Sequence, residues 1–184
     1  MSGNLISVTD ARGQKTLFYY DQQNRLTKVV DTLGNTKTFE YDIFGNLIKM
    51  QDAKIQNTRY EYDKVGRLIK KTLPDDVVIY RYDEADNLTY VEDNDSSLDF
   101  VYDLSGRLVQ TQTHCKGDTK YCQPNVTISY DYDKNGNRVR MTDITGTTTY
   151  TYDALFRLTR ITDNESRTTI FEYDSLSREC PADC

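Results

Sequence analysis

Phe39-Glu40-Tyr41-Asp42-Ile43-Phe44-Gly45-Asn46-Leu47 is the stretch whose pattern returns from one end of the chain to the other. Aligned on Tyr-Asp, copies fall at Tyr20-Asp21, Tyr41-Asp42, Tyr62-Asp63, Tyr82-Asp83, Tyr102-Asp103, Tyr132-Asp133, Tyr152-Asp153 and Tyr173-Asp174. Their separations are 21, 21, 20, 20, 30, 20 and 21 residues. A fixed period near twenty marks a repeat architecture and sets the frame for every local reading. Two residues before each anchor stands another aromatic: Phe18, Phe39, Tyr60, Tyr80, Phe100, Tyr130, Tyr150 and Phe171. Five residues after it the choice is Arg or Asn: Arg25, Asn46, Arg67, Asn87, Arg107, Asn137, Arg157 and Arg178. Leu follows in six of the eight copies, with Arg138 and Glu179 as the departures.

Within a unit the pattern has period two, as expected of strands with one covered face. Phe39 and Tyr41 share a face with Glu40 opposite; after a turn, Ile48 and Met50 share a face with Lys49 opposite. Asp-x-x-Gly suits a type I turn, its carboxylate accepting a backbone N–H and its glycine taking positive φ. Gly45, Gly66, Gly106 and Gly136 fill the glycine slot, and Asn24 and Asp86 are the next best tolerated there. Phe156 and Ser177 fit poorly, so those two turns are expected to differ. A four-residue loop, Ile43–Asn46, pairs Tyr41 with Ile48 and Glu40 with Lys49, and likewise sets Glu61 opposite Lys70 and Asp131 opposite Arg140. These charge pairs favour that register over a three-residue loop, which mixes the faces.

A second turn joins the units, repeating the logic at Asp10-x-x-Gly13, Asp31-x-x-Gly34 and Asp143-x-x-Gly146. Leu73-Pro74-Asp75-Asp76 and Asp93-Asn94-Asp95-Ser96 substitute other turn formers. The expectation is all-β: consecutive antiparallel hairpins, some sixteen strands, in a sheet too wide to stay flat and therefore coiled or covered. One repeat domain spans 1–179, with a loop inserted at 113–125, followed by a cysteine-containing tail at 180–184. Ser2-Gly3-Asn4-Leu5-Ile6 aligns with Phe44–Ile48, and Tyr173–Arg178 is a first half-unit. The chain therefore reads as a segment of a longer array, or as one whose half-units are completed by neighbours.

Among the 184 residues 37% are hydrophobic, 15 are Tyr and the net charge is −6. Mean hydropathy is −0.72. The core is thin, and a net negative chain is a poor match for nucleic acid or an anionic membrane surface. No apolar run approaches the roughly 20 residues that span a bilayer, and Met1–Leu5 does not open a signal peptide. Cys115 and Cys122 flank a polar stretch around Gly117 and read as a disulfide closing a hairpin tip. Cys180 and Cys184 are left to pair with each other or with another chain. Four cysteines favour an oxidising compartment.

The Asp column reads as turn capping rather than as a calcium ladder. Equivalent residues one hairpin apart lie two strand spacings, on the order of 10 Å, from each other, whereas calcium oxygens converge within about 2.6 Å. His114, the only histidine, lacks usual zinc-ligand spacing and reads as a solvated loop residue. The aromatic columns read as sheet packing. No catalytic residue, metal ligand or cofactor site is assigned. Asn87, Asn94, Asn125 and Asn164 open glycosylation-type triplets.

The unit Tyr-Asp-x-x-Gly-(Arg/Asn)-Leu, with its upstream aromatic and period near twenty, resembles the YD repeat of the Rhs family over residues 2–178. The family includes bacterial Rhs polymorphic toxins, wall-associated proteins, toxin-complex shells and teneurins. The resemblance implies a β-sheet spiral forming the wall of a hollow shell around a toxin or other C-terminal segment. This chain is too short to close a shell, and it lacks both a recognisable toxin domain and the Asp-Pro-x-Gly-Leu motif that ends the bacterial core. The reading is a non-enzymatic scaffold of a secreted or cell-surface protein. Its partners would be other YD repeats of the same or a neighbouring chain and an enclosed effector. Two alternatives remain: a fibre subunit joined head to tail by strand complementation, or a module that grips glycan or protein.

Overall fold

The computed structural model describes residues 3–117 and 125–174. The chain forms two compact units, Met1–Arg81 and Tyr82–Cys184. The first holds β1 (Ser7–Thr9), β2 (Lys15–Tyr20), β3 (Leu26–Val30), β4 (Thr36–Tyr41), β5 (Leu47–Gln51), β6 (Asn57–Tyr62), β7 (Leu68–Thr72) and β8 (Val77–Tyr82), whose last residue is assigned to the second. The second continues with β9 (Leu88–Glu92), β10 (Ser96–Tyr102), β11 (Leu108–Cys115), β12 (Val126–Tyr132), β13 (Arg138–Asp143), β14 (Gly146–Tyr152), β15 (Leu158–Thr162) and β16 (Thr168–Ile170). Strand order follows the sequence in each unit, and successive strands pair antiparallel. The chain is thus an all-β hairpin meander.

The predicted charge pairs form. Glu40 pairs with Lys49, with Nζ 2.6 Å from Oε1. Glu61 meets Lys70 at 3.1 Å and Asp131 meets Arg140 at 3.2 Å. The predicted partner of Tyr41 does not hold: Tyr41 lies opposite Leu47, and the register shifts between Glu40 and Tyr41. Asp42 N–H donates to Asn46 O (2.9 Å) and Gly45 N–H to Asp42 O (3.2 Å), so the loop proper is Ile43-Phe44-Gly45. Ile48 is then the extra residue of a β-bulge, which restores the register that brings Glu40 to Lys49. The same shift recurs at Thr27, Ile69, Val109, Val139 and Thr159. All six bulge residues are β-branched. Thr27 and Thr159 also turn their hydroxyls onto the facing carbonyls of Tyr19 (3.2 Å) and Thr151 (3.1 Å).

Every described anchor turn has one chemistry. The Asp Oδ1 accepts backbone N–H groups from the residues two and four positions on, at 2.9 and 2.8 Å for Asp42 and 3.0 and 2.9 Å for Asp63. The turn at Asp153 is expected to differ, yet it does not. Leu155 and Arg157 N–H groups reach Asp153 Oδ1 at 2.9 and 3.0 Å, and Phe156 takes φ 63°. Carboxylate capping and the closing pair dictate the turn, and the slot residue accepts left-handed backbone at a cost. Two linking turns without glycine follow the same rule, at Asp52 with Ile55 (φ 66°) and at Asp163 with Ser166 (φ 65°). Asp143 departs from Asp10 and Asp31, because it pairs directly with Gly146 across a two-residue loop. A Cβ at Gly146 would stand 2.5 Å from Asn164 Cβ, so no side chain fits there.

No hydrophobic side chain is fully buried among the described residues; only Thr58 and Ser97 fall below a tenth exposed. The aromatic columns are half-buried. A single layer offers its side chains one neighbour on each side but nothing above.

Two outcomes follow. Replacing Phe156 by Gly, at a slot where Phe is 57% exposed, should raise unfolding free energy by roughly 0.5–1 kcal/mol in denaturant titrations, and Gly45→Ala should lower it by a similar amount. The turn carboxylates Asp21, Asp31, Asp63, Asp103, Asp133, Asp153 and Asp163 titrate below their ordinary range. The first cause is the backbone N–H of the following Arg for Asp21, Asp63, Asp103 and Asp153. It is a side-chain donor for Asp31, Asp133 and Asp163. A carboxylate whose folded pKa is depressed contributes stability above the unfolded value, near 3.9, and loses it as pH falls through the folded value. Stability measured by urea unfolding should therefore hold above about pH 5 and fall steadily below about pH 4.

Candidate functional site

The anchor Tyr does what the sequence reading missed. Its hydroxyl donates to the main-chain carbonyl of the Leu column one repeat earlier: Tyr20 to Leu5 (2.9 Å), Tyr41 to Leu26 (2.8 Å) and Tyr62 to Leu47 (2.9 Å). In the second unit Tyr102 reaches Leu88 (2.9 Å), Tyr132 reaches Leu108 (2.8 Å), Tyr152 reaches Arg138 (2.9 Å) and Tyr173 reaches Leu158 (2.7 Å). Strand pairing explains the need. The ladder between β5 and β6 runs from Gln51–Asn57 to Lys49–Arg59 and stops. Beyond it the Leu47 carbonyl requires a donor, and the phenol supplies one across the gap. Arg138 departs from Leu without loss because the acceptor is a backbone oxygen.

Within each unit the Arg-or-Asn column sits beside the phenols. Arg25 binds its own Asp21 through Nε (2.7 Å), places its guanidinium 4.8 Å over the Tyr41 ring and donates from Nη1 to Asp42 O (2.9 Å). Arg107 repeats this with Asp103 (2.7 Å), Tyr132 (4.9 Å) and Asp133 O (3.1 Å). Arg157 holds Asp153 and lies 4.7 Å over Tyr173. Asn4 Nδ2 reaches Asn24 Oδ1 of the next turn at 3.0 Å, whereas Asn46 and Asn87 keep only the local bond, Asn46 Nδ2 to Asp42 Oδ2 at 2.9 Å and Asn87 Nδ2 to Asp83 Oδ2 at 3.0 Å. Open grooves lie between repeats at these Asn positions. One of about 640 Å³ is lined by Phe44, Asn46, Tyr60 and Tyr62; another of about 400 Å³ is lined by Asn87, Phe100, Tyr102 and Leu104.

At the base of the insert, His114 lies in β11 rather than in a solvated loop. Its ring nitrogens face Asp99 Oδ2 and Asn125 Oδ1, each at 3.0 Å. Lys116 bonds Glu92 and the Asp93 carbonyl. Cys115 ends β11; Cys122, Cys180, Cys184 and the Ser177 turn lie outside the described residues.

No curated protein matches the chain. Among solved structures it is similar to a chain in the crystal structure of TcdB2-TccC3-Cdc42, with 18% identity and a TM-score of 0.73, over 88% of this chain and 10% of that one. TcdB2-TccC3-TEV follows with 17% identity and a TM-score of 0.57, over 97% and 12%. TcdB2-TccC3 gives 14% and 0.55, over 94% and 12%. The chain thus spans about a tenth of the length of these structures, and the likeness is one of fold. The RHS Repeat model matches residues 1–36, 20–54, 62–97 and 132–165. Tyrosines stitched to the preceding repeat, capped turns and a family model matching more than half of the sequence lead to one conclusion: this chain belongs to the RHS repeat family.

Proposed function

We propose that this chain is a non-enzymatic wall segment of a secreted or cell-surface Rhs-like protein that encloses an effector. The observation that carries the reading is the bond that recurs at seven anchor phenols, within each unit, to the backbone of the preceding repeat. It makes rigidity a property of the junctions within each unit rather than of one core. Residues 1–179 act as one repeat domain. The Tyr-Asp anchors and turn glycines Gly45, Gly66, Gly106 and Gly136 are structural residues, and the chain uses no cofactor. A Cys115–Cys122 disulfide closes the inserted hairpin tip in an oxidising compartment, supported by the place of Cys115 at the end of β11.

Purified from its native source, the protein should appear by cryo-electron microscopy as part of a hollow, sheet-walled particle with density inside. Solid fibres that lengthen with concentration in light scattering would overturn the enclosure reading in favour of head-to-tail assembly. Tyr62→Phe, which deletes only the hydroxyl, should cost about 1 kcal/mol in urea unfolding. No change would remove the junction argument.

A further inference from the structure

The Arg and Asn repeats differ in one respect with a direct chemical meaning. Where the column holds Arg, the chain's own guanidinium occupies the space between successive turns. It finds there an aromatic face, a main-chain carbonyl and an aspartate (Tyr41, Asp42 O and Asp21 for Arg25). Where it holds Asn, the same three partners are present. In the larger groove Tyr62, Asp63 and Asp42 all form part of the lining, and Asp42 Oδ2 also accepts from Asn46 Nδ2 (2.9 Å). In the smaller the lining includes Tyr102, Asp103 and Asp83. Asn4 bridges to the next turn through Asn24 (3.0 Å), whereas Asn46 and Asn87 face glycines that offer no side chain: Asn46 Oδ1 lies 4.0 Å from the position a Gly66 Cβ would take, and Asn87 Oδ1 lies 3.9 Å from that of Gly106. Glycine at both facing slots leaves the groove mouth clear.

We infer that the Asn46–Tyr62 and Asn87–Tyr102 grooves are guanidinium receptors, each filled by an arginine side chain of a partner protein. Planar guanidinium stacks on an aromatic face while its N–H groups reach carbonyl and carboxylate, a combination that a lysine ammonium reproduces poorly. The template is internal: Arg25 and Arg107 bind this way in the same chain. Charge agrees, since the chain carries −6. Tyr62 and Tyr102 are pushed up by desolvation, with Tyr60 and Asp42 adding to the effect at Tyr62 and Asp83 at Tyr102, so both present neutral rings. The groove beside Asn137 is a weaker candidate, because Arg138 already lies 4.6 Å over Tyr150 in its lining. The inference concerns the outer chemistry of single junctions and stands whether or not the chain walls a shell.

The test is an NMR titration of the labelled chain with N-acetyl-arginine amide, N-acetyl-lysine amide and a neutral monosaccharide. The arginine probe should shift the Gly66 and Gly106 amides saturably, and at least threefold more than Gly45, whose turn lies against Arg25. The lysine probe should do so at least threefold more weakly. Asn46→Arg should abolish the Gly66 response and spare that of Gly106; Asn87→Arg should do the reverse, so each variant is a folding control for the other. Equal shifts at Gly45, equal binding of lysine, a matching response to sugar or persistence of the Gly66 shift in Asn46→Arg would each overturn the assignment.

Discussion

A phenolic hydroxyl bonded to a main-chain carbonyl one repeat away is the contact on which this molecule depends. Backbone ladders join the strands, but between repeats they end early, at Lys49–Arg59 in the β5–β6 pair. Past that point the carbonyl of the Leu column and the ring of the anchor Tyr meet instead. The bond works because two other features place it. The aspartate-capped turn fixes where the anchor strand ends, and the bulge after Leu shifts the returning strand by one residue. Remove either and the phenol points at the wrong atom.

With no fully buried hydrophobic side chain among the described residues, such junctions replace the core of an ordinary domain. Hydrophobic burial is still present, spread thinly over half-covered rings. What a core would supply by excluding water, this chain supplies by repetition of directional bonds, and directional bonds resist bending better than they resist solvent. That balance suits a scaffold. It also explains the composition: Tyr brings an apolar body and a donor in one side chain, and the sequence carries 15 of them.

The hairpin repeat, its charge pairs and its capped turns were legible in the sequence because each rests on interactions within about ten residues. The loop length was not. Counting from Asp42 to Lys49 gives the correct pairing of Glu40 for the wrong reason, since a three-residue loop plus a bulge and a four-residue loop deliver the same charge pair. The signal that separates them is the β-branched column Thr27, Ile48, Ile69, Val109, Val139 and Thr159, legible only once the bulge is known. Phe156 misled because slot preference was weighed above the capping carboxylate, which sets the turn. The phenol-to-carbonyl bond was out of reach because its acceptor is backbone, and a backbone oxygen leaves no mark on the choice of side chain, as Arg138 demonstrates.

In the second unit, the long interval between Tyr102 and Tyr132 shows what such construction permits. The interval lengthens β11 to eight residues, whose end pairs on with β10 as Ser97–His114 and Ser96–Cys115, while the bulge at Val109 and the bond from Tyr132 to Leu108 stay as in shorter repeats. Strand contacts in each unit join consecutive strands. Each hairpin therefore answers only to its neighbours, and none to a shared interior whose volume must be conserved. Gene duplication can add or delete whole hairpins, and insertions can ornament a tip, without forcing compensating changes elsewhere. Repeat number becomes a quantity that evolution adjusts freely.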